Sequence, residues 1–392
     1  MHDRRSEKFV AGSPDLAGVL DIVAAGRDVA EQQRRLSADV IATLTDTGLF
    51  RLGVPAALGG PGCSALEVLD VIEAITMADA SAGWCVWNNL LPTLLSQRLA
   101  PDVRAEIVGD AGTVFGNSTR ASGRLAVSGE GGFSLSGQWS LVSGCQAATS
   151  LALLGLVTRD GVPQEVAPGV RDMRLAYVPA GDVAIVDTWS SGGLRGSGSH
   201  DVVVADLFVP AAHTCPVAGP AAGVAGPLDR IPTMALLAAG AATMLLGLGR
   251  VCFDTVRSIA TEHVPTDGRP QLEARPAVAT GLARASANLR ASRAAVRSAV
   301  GAMEAAAEGG NAVPLLMRAE VMEAVGLARR LGLDVVRSLY ELGGTASVYT
   351  SRPLERAHRD AHVMAQHVMF DSLWAEQAGR VRLGLQPTNL LF

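Results

Sequence analysis

Hydrophobic residues in this chain change their spacing twice, and that change limits the available folds more than any other feature. From position 14 to about 97 they recur every three or four residues, as in SADVIATLTDTGLF, where Val40, Leu44 and the pair Leu49 and Phe50 fall near one helical face. From about 111 to 210 they alternate in short runs, GRLAVSG, GGFSLSGQWSLVSG, DMRLAYVPA, VAIVDTW and SHDVVVADLFVP, the pattern of half-buried strands. After a linker rich in Pro, Ala and Gly (217–227) the helical period returns and holds to about 385. Breaks near 265–268, 309–311 and 343–344 cut this last stretch into four long helices with short connections. The order predicts an α+β protein with an N-terminal helical domain (1–110), a middle β-barrel (111–216) and a C-terminal four-helix bundle (217–392).

Local signals agree with this division. Ser64-Ala65-Leu66-Glu67 has the form of a capping box at a helix start. Gly129-Glu130-Gly131-Gly132 suits a hairpin turn, because glycine tolerates positive φ. The uncharged segment IPTMALLAAGAATMLLGLG (231–249) is long enough to cross a bilayer, but its many Ala and Gly residues and the lack of companion spans predict the innermost helix of the bundle instead.

With 392 residues, 48% of them apolar, the chain can bury two or three cores. Its net charge of −5 is spread along the length with no block of like charge, which argues against a nucleic-acid partner. Five scattered cysteines, an odd number without a CxxC pair, suit a reducing compartment and no zinc. The basic N-terminus is followed by no apolar run, so a secretory signal is not expected and the cytoplasm is. His358 and His362 have the i, i+4 spacing of metal ligands but lack companions, so they read as structural or solvated. No GxGxxG follows a strand and no βαβ pattern occurs, so a nicotinamide-binding domain is not expected.

Three segments carry a resemblance. WSLVSG (139–144) is similar to a strand motif in which a Trp precedes Ser or Thr residues that touch a flavin. GGLRGSGSHDVVVADLFVP (192–210) resembles an Arg-Gly-Ser stretch leading into a strand and Val-Pro, and YELGGTASVYTSRPLERAHRDA (340–361) resembles a glycine pair followed by Pro, Glu-Arg and Arg-Asp at the start of a last helix. In this order they resemble the acyl-CoA dehydrogenase superfamily, whose helical, barrel and bundle domains match the periodicity. A dehydrogenase of that family needs a carboxylate to take the α-proton of its acyl thioester. The matching position here is Val368, and the other place for that base, on the first bundle helix, is empty because no Asp or Glu occurs from 230 to 253. The family's Arg-x-Phe-Gly signature is replaced by TEHVPTDGRPQL.

These departures, with His367 beside the vacant position and Ser-Gly after the barrel Trp, resemble the two-component monooxygenase branch of the superfamily. In that branch reduced flavin and O2 give a hydroperoxide that survives only where water is excluded. The resemblance implies reduced FMN or FAD delivered by a separate flavin reductase, with Trp139, Ser143, Arg195 and Ser197 holding the flavin from the barrel side. It implies that Ser143 holds the N–H of the central flavin ring and that His367, on the last bundle helix, acts as base or as partner of the peroxide. Trp87, Asn88 and Asn117 are expected at the pocket for a small, aromatic or amine substrate, and Trp84 as a core aromatic. The competing readings are an FAD-dependent acyl-CoA dehydrogenase with an unrecognised base and a non-catalytic partner subunit of the same fold. A homodimer or homotetramer is expected.

Overall fold

The protein is described here by a computed structural model covering residues 14–262, 271–310 and 312–392. Six helices open it: α1 (Pro14–Gln33), α2 (Ala38–Asp46), α3 (Ala65–Ala78), α4 (Ala80–Asn88), α5 (Leu90–Leu95) and α6 (Pro101–Gly109). Ser37 caps α2, which buries Val40 and Leu44. The capping box at α3 is complete, with the Glu67 amide donating to Ser64 Oγ and the Ser64 amide to Glu67 Oε2.

The strands follow as β1 (Phe115–Ser128), β2 (Gly132–Val142), β3 (Ser150–Arg159), β4 (Val162–Pro163), β5 (Glu165–Ala167), β6 (Val170–Arg171), β7 (Met173–Pro179), β8 (Ala184–Val186), β9 (His200–Pro210) and β10 (Thr214–Pro216). The main sheet runs β10-β7-β3-β1-β2-β9-β8, with β4 beside β3, and β5 pairs with β6 separately. β1 and β2 form the expected hairpin, with Ser128 opposite Gly132. The central strand β3 is absent from the sequence reading. It pairs parallel to β1 and antiparallel to β7, is buried on both faces, and so carries a nearly continuous apolar run instead of an alternation. Leu125, Leu135, Trp139, Leu151, Leu153 and Val202 belong to a core of this sheet that is separate from the core shared by the N- and C-terminal helices.

The C-terminal part comprises α7 (Thr233–Glu262), α8 (Pro276–Glu308), α9 (Leu315–Leu342), α10 (Pro353–Met364) and α11 (Ser372–Arg382). The apolar segment lies in α7, which packs against α3, α8, α9 and α10 and is 83% buried over its most apolar stretch. Breaks occur at Gly309 and at Gly343 as expected, whereas 265–268 and Asn311 lie outside the described residues. The expected fourth helix is two helices. Asp371 accepts the Leu373 amide and starts α11 anew, and the His367 imidazole accepts the Met369 amide to cap a single 3-10 turn, Val368–Phe370. His367 therefore lies between helices and not on one.

Candidate active site

α4 brings the aromatic part of the site to the end of the main sheet. Asp79 caps this helix by accepting the Ala82 amide at 2.7 Å, and one turn of spacing puts Trp84 and Trp87 on neighbouring positions with ring centroids 4.9 Å apart. Trp87 is seated against α7, its indole N–H donating to the Leu237 carbonyl at 3.0 Å. Gly240 makes that approach possible, since a Cβ there would lie 2.7 Å from the indole. Trp84 points at the end of β2, where its indole N–H donates to Ser143 Oγ at 2.9 Å.

His367 meets both indoles. Its ring centroid is 5.1 Å from Trp84 and 5.0 Å from Trp87, nearly perpendicular to each. Burial against them disfavours the imidazolium and pushes the pKa down to about 4. Nδ1 accepts the Met369 amide at 3.3 Å, so the proton of the neutral ring is on Nε2, which is a hydrogen-bond donor. Ser143 also touches Ser199, Oγ to Oγ 2.7 Å, and Ser199 touches Ser197 at 2.8 Å. Ser197 Oγ donates to the Leu194 carbonyl at 2.7 Å. Beside these hydroxyls opens a cavity of about 390 Å³, lined by Phe50, Cys85, Phe115, Gly144, Gln146 and Ser197 among others, within the size range of small-molecule sites.

Family models for "Acyl-CoA dehydrogenase, N-terminal domain" and "Acyl-CoA dehydrogenase, C-terminal domain" match residues 21–99 and 239–372. An indole-3-acetate monooxygenase of Pseudomonas putida is 30% identical over 96% of this chain and 95% of its own length. The chain belongs to the acyl-CoA dehydrogenase superfamily, among its flavin-dependent monooxygenases. The oxygenase component of an FADH2-dependent resorcinol hydroxylase of Rhizobium sp. is 25% identical over 95% of this chain and 94% of that one. XiaF of Streptomyces sp., solved with FADH2 and glycerol, superposes with a TM-score of 0.86 at 25% identity, covering 95% and 97% of the two chains.

The enzyme is thus an oxidoreductase, and its own residues can be set against the expectations. Ser143, His367 and Trp87 come together around Trp84. Asn88 and Asn117 adjoin them: the Asn88 amide donates to the Trp84 carbonyl, the Asn117 amide to the Asn88 carbonyl, and Asn117 bridges Ser143 through the backbone. Trp139 lies apart from this group. It is fully enclosed in the core of the sheet, donating to the Leu154 carbonyl at 2.7 Å, and it lies over Gly123, where a Cβ would come within 2.1 Å of the ring. The Arg195 guanidinium is turned to α1, facing the Glu31 carboxylate at 3.5 Å and the carbonyls of Glu31 and Ser191. Ser197, with 1% of its surface exposed, reaches Ser143 only through Ser199. Trp84 was expected only as a core aromatic, and Ser199 not at all. The Trp84-x-x-Trp87 spacing was the available signal for the first, and nothing local marks the second.

The site's donor set fits a reduced flavin. The central ring of reduced flavin offers an N–H, Ser143 offers an oxygen, and two indoles with a neutral imidazole exclude water around it. His358 stacks on Tyr340, 4.2 Å between centroids, and lies 4.3 Å from His362.

Proposed function

We propose that the protein is the oxygenase component of a two-component system that inserts one oxygen atom of O2 into a small aromatic substrate, using reduced FMN or FAD supplied by a separate flavin reductase. The carrying observation is the cluster of Ser143, Trp84 and His367, together with the resemblance by which Val368 stands at the dehydrogenase base position. Bound reduced flavin supplies the electrons and the activation of O2. Ser143 receives the ring N–H and keeps its proton in place. His367 donates from Nε2 to an oxygen that gains negative charge, a role suited to a ring that stays neutral at physiological pH. Trp84 and Trp87 supply flat apolar walls for an aromatic ring, and Asn88 and Asn117 stand at the same place with amides able to meet a ring hydroxyl or amine. The aromatic substrates named for the indole-3-acetate and resorcinol relatives support this class.

The test mixes the pure protein with chemically reduced FMN or FAD and ¹⁸O2 over a panel of phenols and indoles, with octanoyl-CoA as the opposing substrate. One ¹⁸O in an aromatic product is the expected result. Bleaching of protein-bound FAD by the acyl-CoA, with no oxygenated product from any aromatic, would replace this reading with the dehydrogenase.

A further inference from the structure

The three buried serines beside the site form a chain whose direction can be worked out, because each hydroxyl has one proton. The Leu194 carbonyl can only accept, so at 2.7 Å it takes the Ser197 proton. Ser197 has then no proton left for Ser199, 2.8 Å away, and Ser199 must donate to it. Ser199 in turn has none for Ser143 at 2.7 Å, so Ser143 donates to Ser199. At the other end the Trp84 indole can only donate, and it gives its N–H to Ser143 at 2.9 Å. Every bond in the run from Trp84 through Ser143, Ser199 and Ser197 to Leu194 points the same way. Reversing any of the three hydroxyl bonds would leave two oxygens facing each other under 3 Å with no hydrogen between them. The far end is itself held, since the Leu194 amide donates to the buried Asp360 carboxyl at 2.6 Å.

We infer that Ser199 and Ser197 are positioning residues that make the enzyme selective for the reduced form of its flavin. Their effect is to commit the Ser143 proton inward, so that whatever valence Ser143 turns to a ligand can accept a hydrogen bond but not give one. The inference rests on the reading of this cluster as a flavin site. The central-ring nitrogen at issue carries a hydrogen in reduced flavin and only a lone pair in oxidised flavin. An accepting Ser143 therefore bonds the reduced ring and repels the oxidised one. Such selection suits an oxygenase that must take its cofactor reduced and release it oxidised. Without Ser199 the Ser143 hydroxyl would be free to rotate and donate to the oxidised ring, which would bind as well as the reduced one.

Anaerobic titration of the full chain with oxidised and reduced FMN and FAD, followed by flavin fluorescence and equilibrium dialysis, gives the ratio of the two dissociation constants without any turnover. Wild type is expected to hold reduced flavin more tightly. Ser199→Ala should bring the ratio down on the order of tenfold, the worth of one hydrogen bond gained by the oxidised form. By linkage the midpoint potential of the bound couple falls by about 30 mV for each tenfold. Ser197→Ala, which frees the Ser199 proton to point outward, should act in the same direction and serves if Ser199→Ala does not fold by circular dichroism. In the Ser143→Ala background Ser199→Ala should have no effect on the ratio. An unchanged ratio in both single variants, or an effect of Ser199→Ala that persists without Ser143, overturns the inference while leaving the flavin site standing. Failure of wild type to bind either form of flavin removes the flavin reading itself.

Discussion

His367 combines two properties that decide how it can work. Its ring is edge-on to two indoles, which takes it out of water and lowers the pKa to about 4, and its Nδ1 is engaged by the Met369 amide. A base would need a free unprotonated nitrogen, and the ring offers its proton instead. The sequence reading left base and peroxide partner equally open, since residue type alone carries neither tautomer nor burial. His367→Ala should leave flavin binding near wild type and lower oxygenation by on the order of 10²-fold to 10³-fold, the cost of losing one aimed donor, with more H2O2 released per turnover. Because the folded pKa is below the usual 6.5, the ring stays neutral as pH falls from 8 to about 5. Oxygenation should therefore show no break near pH 6.5 that depends on this residue. A rate profile with such a break, abolished in His367→Ala, would mean an imidazole that titrates normally and acts as a base.

The element that places the site from behind is α10, through Asp360. Its side chain accepts the Leu194 amide, it is 97% buried, and burial pushes its carboxyl up to about 7, with Asp79 and Glu31 adding to the rise and the Leu194 amide and Arg359 opposing it. Asp79, the cap of α4, is likewise pushed up to about 6, and the two acids line one small polar cavity. A carboxyl whose folded pKa exceeds its unfolded one stabilises the fold below the unfolded value, and that stabilisation is lost as pH rises through the folded value. For Asp360 the window runs from about 4 to about 7, and the loss is at most roughly 4 kcal/mol at 1.36 kcal/mol per unit. Asp360→Asn keeps an acceptor for Leu194 and cannot ionise. Its melting temperature should fall much less between pH 5 and pH 8 than that of wild type, and equal slopes would show that the carboxyl is not buried as described. At this scale the sequence was informative where elements are amphipathic. The turn at 129–132, the cap at Ser64 and the helices of the bundle follow from period and capping residues. It was silent where burial removes the period, as in β3, and where side-chain caps interrupt an unbroken apolar pattern, as at His367 and Asp371. The Arg359-Asp360 pair was legible as a motif, but its hydrogen bond to a residue 166 positions away was not.

At the scale of the whole molecule, the order of helices, sheet and helices was readable from periodicity, and the site was readable only as far as motifs marked it. Ser143 and His367 stood out, whereas Trp84 and Ser199 join them solely through tertiary packing. The expectation of a homodimer or homotetramer now has a different physical basis. It does not rest on α7, which α3, α8, α9 and α10 already cover within one chain. The apolar surface left over lies elsewhere. Val348 and Tyr349, between α9 and α10, are 59% and 62% exposed, and Leu383 and Leu390, beyond α11, are 77% and 67% exposed. Leu383 and Leu390 lie by the start of α9, where Arg382 pairs with Glu323 and Arg318 donates to the Phe392 carbonyl, whereas Val348 and Tyr349 lie beyond its other end, and burying either patch between copies would recover transfer free energy at about 25 cal/mol per Å². We therefore expect sedimentation velocity at micromolar concentration to give a dimer or tetramer. Tyr349→Glu combined with Leu383→Glu should shift the distribution toward monomer, with the circular dichroism spectrum unchanged. A wild-type protein that sediments as a monomer at that concentration would show these side chains to be exposed for another reason, and the double variant would then sediment identically.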